Sequence, residues 1–104
     1  DPAGVADARQ RLQTAYAMID RQAAGKTWIT GGDFTLADAA AAPALFYAGI
    51  VEPFPEPLEE LQAYFERLLQ RPSFRRVLVE AKPSFDMFPY RDRMPARFLE
   101  ISDA

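Results

Sequence analysis

The stretch "GGDFTLADAAAAPALF", from Gly31 to Phe46, decides how the rest of the chain is interpreted. It sets one acid, Asp38, at the head of a run without charge that continues to Val51, and it places Pro43 inside that run. Asp38 is therefore either a catalytic carboxylate in an apolar pocket or a part of a helix terminus. The neighbouring residues separate these two interpretations.

Thr35 and Asp38 have the spacing of a capping box, with aspartate in place of the usual glutamate. In such a box the Thr35 hydroxyl accepts from the Asp38 amide, and the Asp38 carboxylate accepts from the Thr35 amide. Two backbone donors at the helix end are then satisfied. A catalytic acid would also need a partner and a pocket, and the sequence shows neither. We interpret Thr35 and Asp38 as a structural capping box.

The helix that follows the box, over residues 36–48, is apolar on every side. An all-apolar helix belongs in the centre of a fold, so we predict this helix to be the most buried, with Ala40, Ala44 and Leu45 covered. Pro43 removes one backbone donor inside the helix and is expected to kink it.

Apolar residues at helical spacing predict three further helices, over residues 2–24, 57–70 and 73–81, and no segment alternates like a strand. The first helix carries an apolar stripe of Val5, Ala8, Leu12, Ala15 and Ile19, and we expect the isolated chain to pair through this helix. The predicted fold class is all-α, a helical bundle. Residues 1–90 form the helical domain, and residues 91–104 form a charged C-terminal tail.

Composition limits the function of the chain. With 104 residues it is long enough for one domain, and a net charge of −3 offers no basic field for nucleic acid or an anionic membrane. Residues 39–51, the longest uncharged run, fall short of the roughly 20 residues that a membrane span needs. The chain contains neither cysteine nor histidine, which excludes thiolate nucleophiles, zinc–thiolate sites and serine–histidine triads. We therefore predict no catalytic residue and no metal site, and a cytoplasmic location.

Aromatic residues supply the candidate binding surface. Tyr47, Phe85 and Phe88 are candidates to line a site for an apolar ligand. In the alternative, the aromatic segment folds back to cover the core. The sequence leaves both open, and residues that bind a cofactor stay unknown.

The run from Trp28 to Phe46, "WITGGDFTLADAAAAPALF", resembles the signature of the α-helical C-terminal domain of glutathione S-transferases. In that family a tryptophan, a glycine and an [FY]-[ST]-x-A-D sequence lead into the buried central helix. The later "YFERLLQRPSFRRVL", Tyr64 to Leu78, is similar to the next helix of the family, its arginine–proline break and the short helix after it. The resemblance covers roughly residues 5–90. It implies that the long helix that opens the family's helical domain is missing, so that the domain is incomplete at its N-terminal side.

The resemblance implies a segment of a glutathione S-transferase that contributes to the hydrophobic co-substrate wall and to subunit packing. The parent would conjugate glutathione, its co-substrate, to an apolar electrophile, and this segment alone would hold no cofactor and not be catalytic. The expected partners are the missing thioredoxin-like domain of the parent, which carries the catalytic residue in the family, and a second copy in a homodimer. The alternative is a non-catalytic protein-interaction domain of the same fold, as in translation factors and tRNA synthetases.

Overall fold

The fold class is all-α, as predicted. The computed structural model describes residues 1–102, in which the only β-type pairing is an isolated bridge between Trp28 and Gly31. Four helices form the body of the domain: α1 (Pro2–Ala23), α2 (Leu36–Val51), α3 (Glu59–Gln70) and α4 (Pro72–Ala81). Two 3-10 turns follow, at Lys82–Met87 and Arg91–Arg93, and then the short helix α5 (Ala96–Leu99).

The ends of α1 follow from local chemistry. The side chain of Asp1 accepts from the N–H of Ala3 at 3.1 Å, and Pro2 occupies the first helical position, where its missing donor costs nothing. Beyond the other end, Gly25 has a φ of 73°, a left-handed conformation that favours glycine. Of the other helices, α2 runs three residues further than predicted, to Val51, and α3 begins at Glu59 rather than at residue 57.

Contacts between helices place α1 against α3 and against the end of α2. The Asp20 carboxylate of α1 accepts from the N–H of Leu61 at 2.8 Å, so it satisfies a backbone donor in the first turn of α3. The Tyr16 hydroxyl donates to the carbonyl oxygen of Glu52 at 2.8 Å. Burial and the nearby charge of Glu52 raise the pKa of Tyr16, which keeps this hydroxyl protonated as a donor.

The prediction that α2 is the most buried helix is partly wrong. Leu45 is 4% exposed, as predicted, but Ala40 and Ala44 are exposed. Within residues 1–102 the other helices cover one side of α2 and leave the opposite side open. The centre of the core is α3 instead, where Leu61, Tyr64 and Leu68 are fully buried.

The core also extends past residue 90, where we placed the boundary between domain and tail. Met94, Phe98 and Ile101 are buried in the same hydrophobic cluster as the helices. The centre of the Phe98 ring lies 4.8 Å from the centre of the Phe46 ring of α2, and the two rings meet edge to face. Residues 91–101 therefore pack as part of the domain, while residues 103 and 104 of the predicted tail lie outside the described residues.

Candidate functional site

The capping box opens α2, and both of its halves are present. In the carboxylate half, the N–H of Thr35 donates to Oδ2 of Asp38 at 3.0 Å. In the other half, the Asp38 amide meets the Thr35 side chain. The same amide donates a hydrogen bond to the Thr35 carbonyl oxygen at 3.0 Å. The Thr35 hydroxyl lies 3.4 Å from Oδ2 and donates to it. The box thus depends chiefly on the Asp38 carboxylate.

Asp38 does more than cap its own helix. Its side chain is 0% exposed, and Oδ1 accepts from the N–H of Ile29 at 2.9 Å and from the hydroxyl of Tyr64 at 2.6 Å. One carboxylate therefore joins the loop before α2, the start of α2 and the middle of α3. Tyr64 is itself fully buried, so this hydrogen bond lies inside the core.

The protonation state of Asp38 follows from these contacts. Burial alone would raise the pKa of the carboxyl, but the hydrogen bonds from Tyr64, Ile29 and Thr35 outweigh it and hold the pKa below its ordinary value. For Tyr64, burial and then the bond to Asp38 raise the pKa, so the hydroxyl remains a donor. Asp38 is an ionised, buried structural acid that no ligand in solvent can reach.

The candidate for binding is the open side of α2. Five residues at helical spacing share this side, and we name them the α2 face: Leu36, Ala40, Pro43, Ala44 and Tyr47. All five are exposed, Leu36 to 88% and Tyr47 to 44%, and none is charged. An uncharged helix side at the surface is typical of a site that another protein surface covers.

Two of the three predicted lining residues lie at one end of the α2 face. The centres of the Phe88 and Tyr47 rings are 6.0 Å apart, and Phe88 is partly buried. Phe85 differs from the prediction because it is only 2% exposed. The centre of its ring lies 5.8 Å from that of Phe46 and 5.4 Å from that of Phe88. Phe85 therefore supports Phe88 from within the core, and only Tyr47 and Phe88 reach the surface.

Potential metal ligands do not cluster in the part of the chain that the structure describes. Among residues 1–102, no three acidic side chains lie close enough to hold a metal ion together. The same residues include no helix with both the length and the apolarity needed to cross a bilayer. The α2 face and its aromatic end therefore remain the candidate binding surface.

Comparison with known proteins identifies the family of this domain. Residues 2–67 match the family described as "Glutathione S-transferase, C-terminal domain". The chain belongs to this family. The match includes α1, α2 and most of α3, and with them the capping box and the whole α2 face.

A curated relative supports the assignment of the domain to the glutathione S-transferase family. "Glutathione S-transferase 2" of Saccharomyces cerevisiae is 33% identical over 73 residues, which cover 67% of this chain and 31% of the relative. The chain thus matches about a third of the length of that transferase. No solved structure gave a significant match.

Sequence reasoning missed two of the donors to Asp38, the Ile29 amide and the Tyr64 hydroxyl. The first lies 9 and the second 26 positions away along the chain. A capping box is a local pattern, so it identifies Thr35 and not the partners that the tertiary fold brings. The sequence did offer one signal for a tyrosine partner of Asp38. It combines a lone aspartate in an apolar helix with tyrosines on the apolar sides of other helices.

Proposed function

We propose that this chain is the helical segment of a glutathione transferase and that its parent joins glutathione to an apolar electrophile. The observation that carries the proposal is the α2 face, an uncharged and exposed side of a helix that opens with the family's capping box. Glutathione is the proposed co-substrate of the parent. Family membership and the name of the yeast relative support the reaction class.

The chemistry divides between this segment and the rest of the proposed parent. A thiol must be ionised before it attacks an electrophile, and this chain has no cysteine or histidine to assist that step. We assign no catalytic residue here. The group that activates the thiol, and most contacts to glutathione, would come from a thioredoxin-like domain of the parent.

The contribution of this segment would be an apolar wall. Tyr47 and Phe88 form an aromatic pair at the surface, and Phe85 holds Phe88 from the core side. Apolar side chains of this kind favour an electrophile with an aromatic or aliphatic body. The wall is proposed for the electrophile and not for glutathione, whose carboxylates would need cationic partners.

The proposed partner for the α2 face is the thioredoxin-like domain. Leu36, Ala40 and Ala44 have small or flexible side chains without charge, which permits a close approach of another domain. A homodimer of the parent is part of the same proposal, with subunit packing as a second use of the helical surface. The cytoplasmic location stays a prediction.

The alternative is a non-catalytic interaction domain of the same family. The α2 face favours it as well, because a docking surface for a domain of the parent is also suited to a separate protein. Fold alone does not separate the two, since one fold supports several functions. The presence or absence of glutathione chemistry in the complete protein does.

The test uses the protein from the complete reading frame that contains this segment. We expect it to bind glutathione and to conjugate it to an aryl halide, whereas residues 1–104 alone should not exceed the uncatalysed rate. In the complete protein, Phe88→Ala should raise KM for the aryl halide and leave KM for glutathione unchanged. Met87→Ala is the matched control, because the neighbouring Met87 is 83% exposed. A folded complete protein that neither binds nor conjugates glutathione would favour the interaction domain.

A further inference from the structure

A pocket lies between the start of α2, the end of α3 and the start of α4, apart from the α2 face. Its volume is about 180 Å³. Most of its lining is apolar, and the two polar lining residues are Arg71 and Ser73. The apolar lining residues are Phe34, Ala39, Ala42, Leu68, Phe74 and Val77. A cavity of about 150 Å³ with apolar walls is large enough for benzene, so this pocket has room for one aromatic ring.

Arg71 is held in this pocket by aromatic rings and not by an acid. Its guanidinium carbon lies 3.6 Å from the centre of the Phe34 ring and 5.3 Å from that of Trp28. Stacking of this kind attracts a cation to the face of a ring and fixes the position of the guanidinium. The backbone of Arg71 is also constrained, because this residue ends α3 and caps α4.

The charge of Arg71 has no counter-ion among residues 1–102. Salt bridges in that range involve other arginines, such as Arg97 with Glu66 at 2.7 Å. The Nε of Arg71 is buried and makes no hydrogen bond to the described residues. Because Nε is buried, a ligand would meet the terminal amino groups of the guanidinium. These groups have the planar geometry that binds a carboxylate.

The start of α4 adds to the preference for an anion. Ser73 and Phe74 line the pocket from the first turn of this ten-residue helix, where backbone N–H groups and the helix dipole favour negative charge. Pro72, at the first position, has no donor of its own. The pocket therefore combines an apolar space for one ring with a single cation at the positive end of a helix.

We propose that this pocket binds a small aromatic monocarboxylate, with the ring against Phe34, Phe74 and Val77 and the carboxylate on Arg71. One cation matches a single negative charge, and a pocket for one ring excludes larger polycyclic acids. The proposal is separate from the transferase proposal, since it uses neither the α2 face nor glutathione.

The experiment is an NMR titration of the ¹⁵N-labelled chain with benzoate. A ligand with about nine non-hydrogen atoms is expected to bind with Kd of roughly 1 to 10 mM. Saturable shifts should centre on the amides of Ala39, Ala42, Ser73 and Phe74. Benzyl alcohol, which keeps the ring without the charge, and acetate, which keeps the charge without the ring, should each bind at least about tenfold more weakly.

Variants test the two halves of the site. Arg71→Gln should weaken benzoate binding at least about tenfold, whereas Arg76→Gln, which removes an exposed charge from α4, should leave it unchanged. Val77→Trp fills the pocket from a position that is 53% exposed, and it should abolish binding even if Arg71→Gln fails to fold. The proposal is overturned by the absence of saturable shifts, by shifts centred elsewhere, or by equal binding of benzyl alcohol. Unchanged benzoate binding in Val77→Trp, or in folded Arg71→Gln, would overturn it too.

Discussion

The hydroxyl of Tyr64 donates to Oδ1 of Asp38 at 2.6 Å, and both residues are 0% exposed. The bond connects the middle of α3 to the first turn of α2. A hydrogen bond to an ionised group in a buried position is stronger than one between neutral groups. This contact therefore links the capping of one helix to the packing of two.

Tyr64→Phe removes the donor and keeps the ring. We expect the free energy of unfolding to fall by about 1.5–3 kcal/mol, the range for a hydrogen bond to a charged group. Urea denaturation followed by circular dichroism measures the change. Tyr47→Phe is the control, because Tyr47 is exposed and should lose little. Equal losses in the two variants would show that the Tyr64–Asp38 bond contributes no special stability.

Asp38→Ala should destabilise the domain more than Tyr64→Phe does. The substitution leaves the amides of Ile29 and Thr35 and the Tyr64 hydroxyl without their acceptor. An unsatisfied buried donor costs about 1–3 kcal/mol, so we expect a total loss of at least about 3 kcal/mol and a lower Tm. Asp33→Ala, at an exposed position in the loop before the box, is the matched control. An unchanged Tm for Asp38→Ala is incompatible with the network.

The pH dependence of stability has a definite sign at Asp38. Burial raises the pKa of the carboxyl, but its hydrogen bonds lower it further than burial raises it, so the folded value lies below the ordinary one. In the unfolded chain the pKa returns to about 3.9. As the pH falls, the unfolded state takes up the proton first. The stabilisation is thus complete above the unfolded pKa and is lost as the pH falls through the folded pKa.

We therefore expect the unfolding free energy to decrease between about pH 5 and pH 3, partly because of this residue. Asp38→Asn keeps the size of the side chain and removes its titration. It should be less stable than the wild type at pH 7 and lose less stability on acidification. Urea denaturation at several pH values measures both chains, and parallel curves would show that Asp38 does not titrate differently in the folded state.

The local elements of the fold were predictable from the sequence. The stripe of α1, the spacing of Thr35 and Asp38, and the break before Pro72 are each set by neighbours within one or two helical turns. The burial of α2 was not predictable in the same way. Apolar composition indicates that a side prefers to be covered, but Ala40 and Ala44 show that residues 1–102 do not cover it.

The candidate site was predictable only in part, for a similar reason. Aromatic type identified Tyr47, Phe85 and Phe88 as a group, and their rings do lie together. Which of them reaches the surface depends on tertiary packing, because Phe85 lies against Phe46, a residue 39 positions away along the chain. Met94, Phe98 and Ile101 do have helical spacing, but the pattern is short and stands among charged residues, so the tail was interpreted as charged.

Self-association of the isolated chain should use the α2 face. We first expected the stripe on α1 to be the contact, but Leu12 and Ile19 pack against the core and leave Val5 as its main exposed residue. The α2 face is continuous, uncharged and exposed, and large apolar patches tend to bind other protein surfaces. A closed two-fold pair is the commonest form of such association.

Sedimentation of residues 1–104 across a concentration series should therefore show a mass that rises toward that of a dimer. Ala44→Glu places a charge in the α2 face and should shift the chain to a monomer, because a buried unpaired charge is costly. Ala63→Glu makes the same substitution on the exposed side of α3 and should leave association unchanged. If Val5→Glu and not Ala44→Glu dissociates the pair, α1 is the contact after all. A monomeric mass for the unmodified chain at every concentration would mean that neither helix side associates.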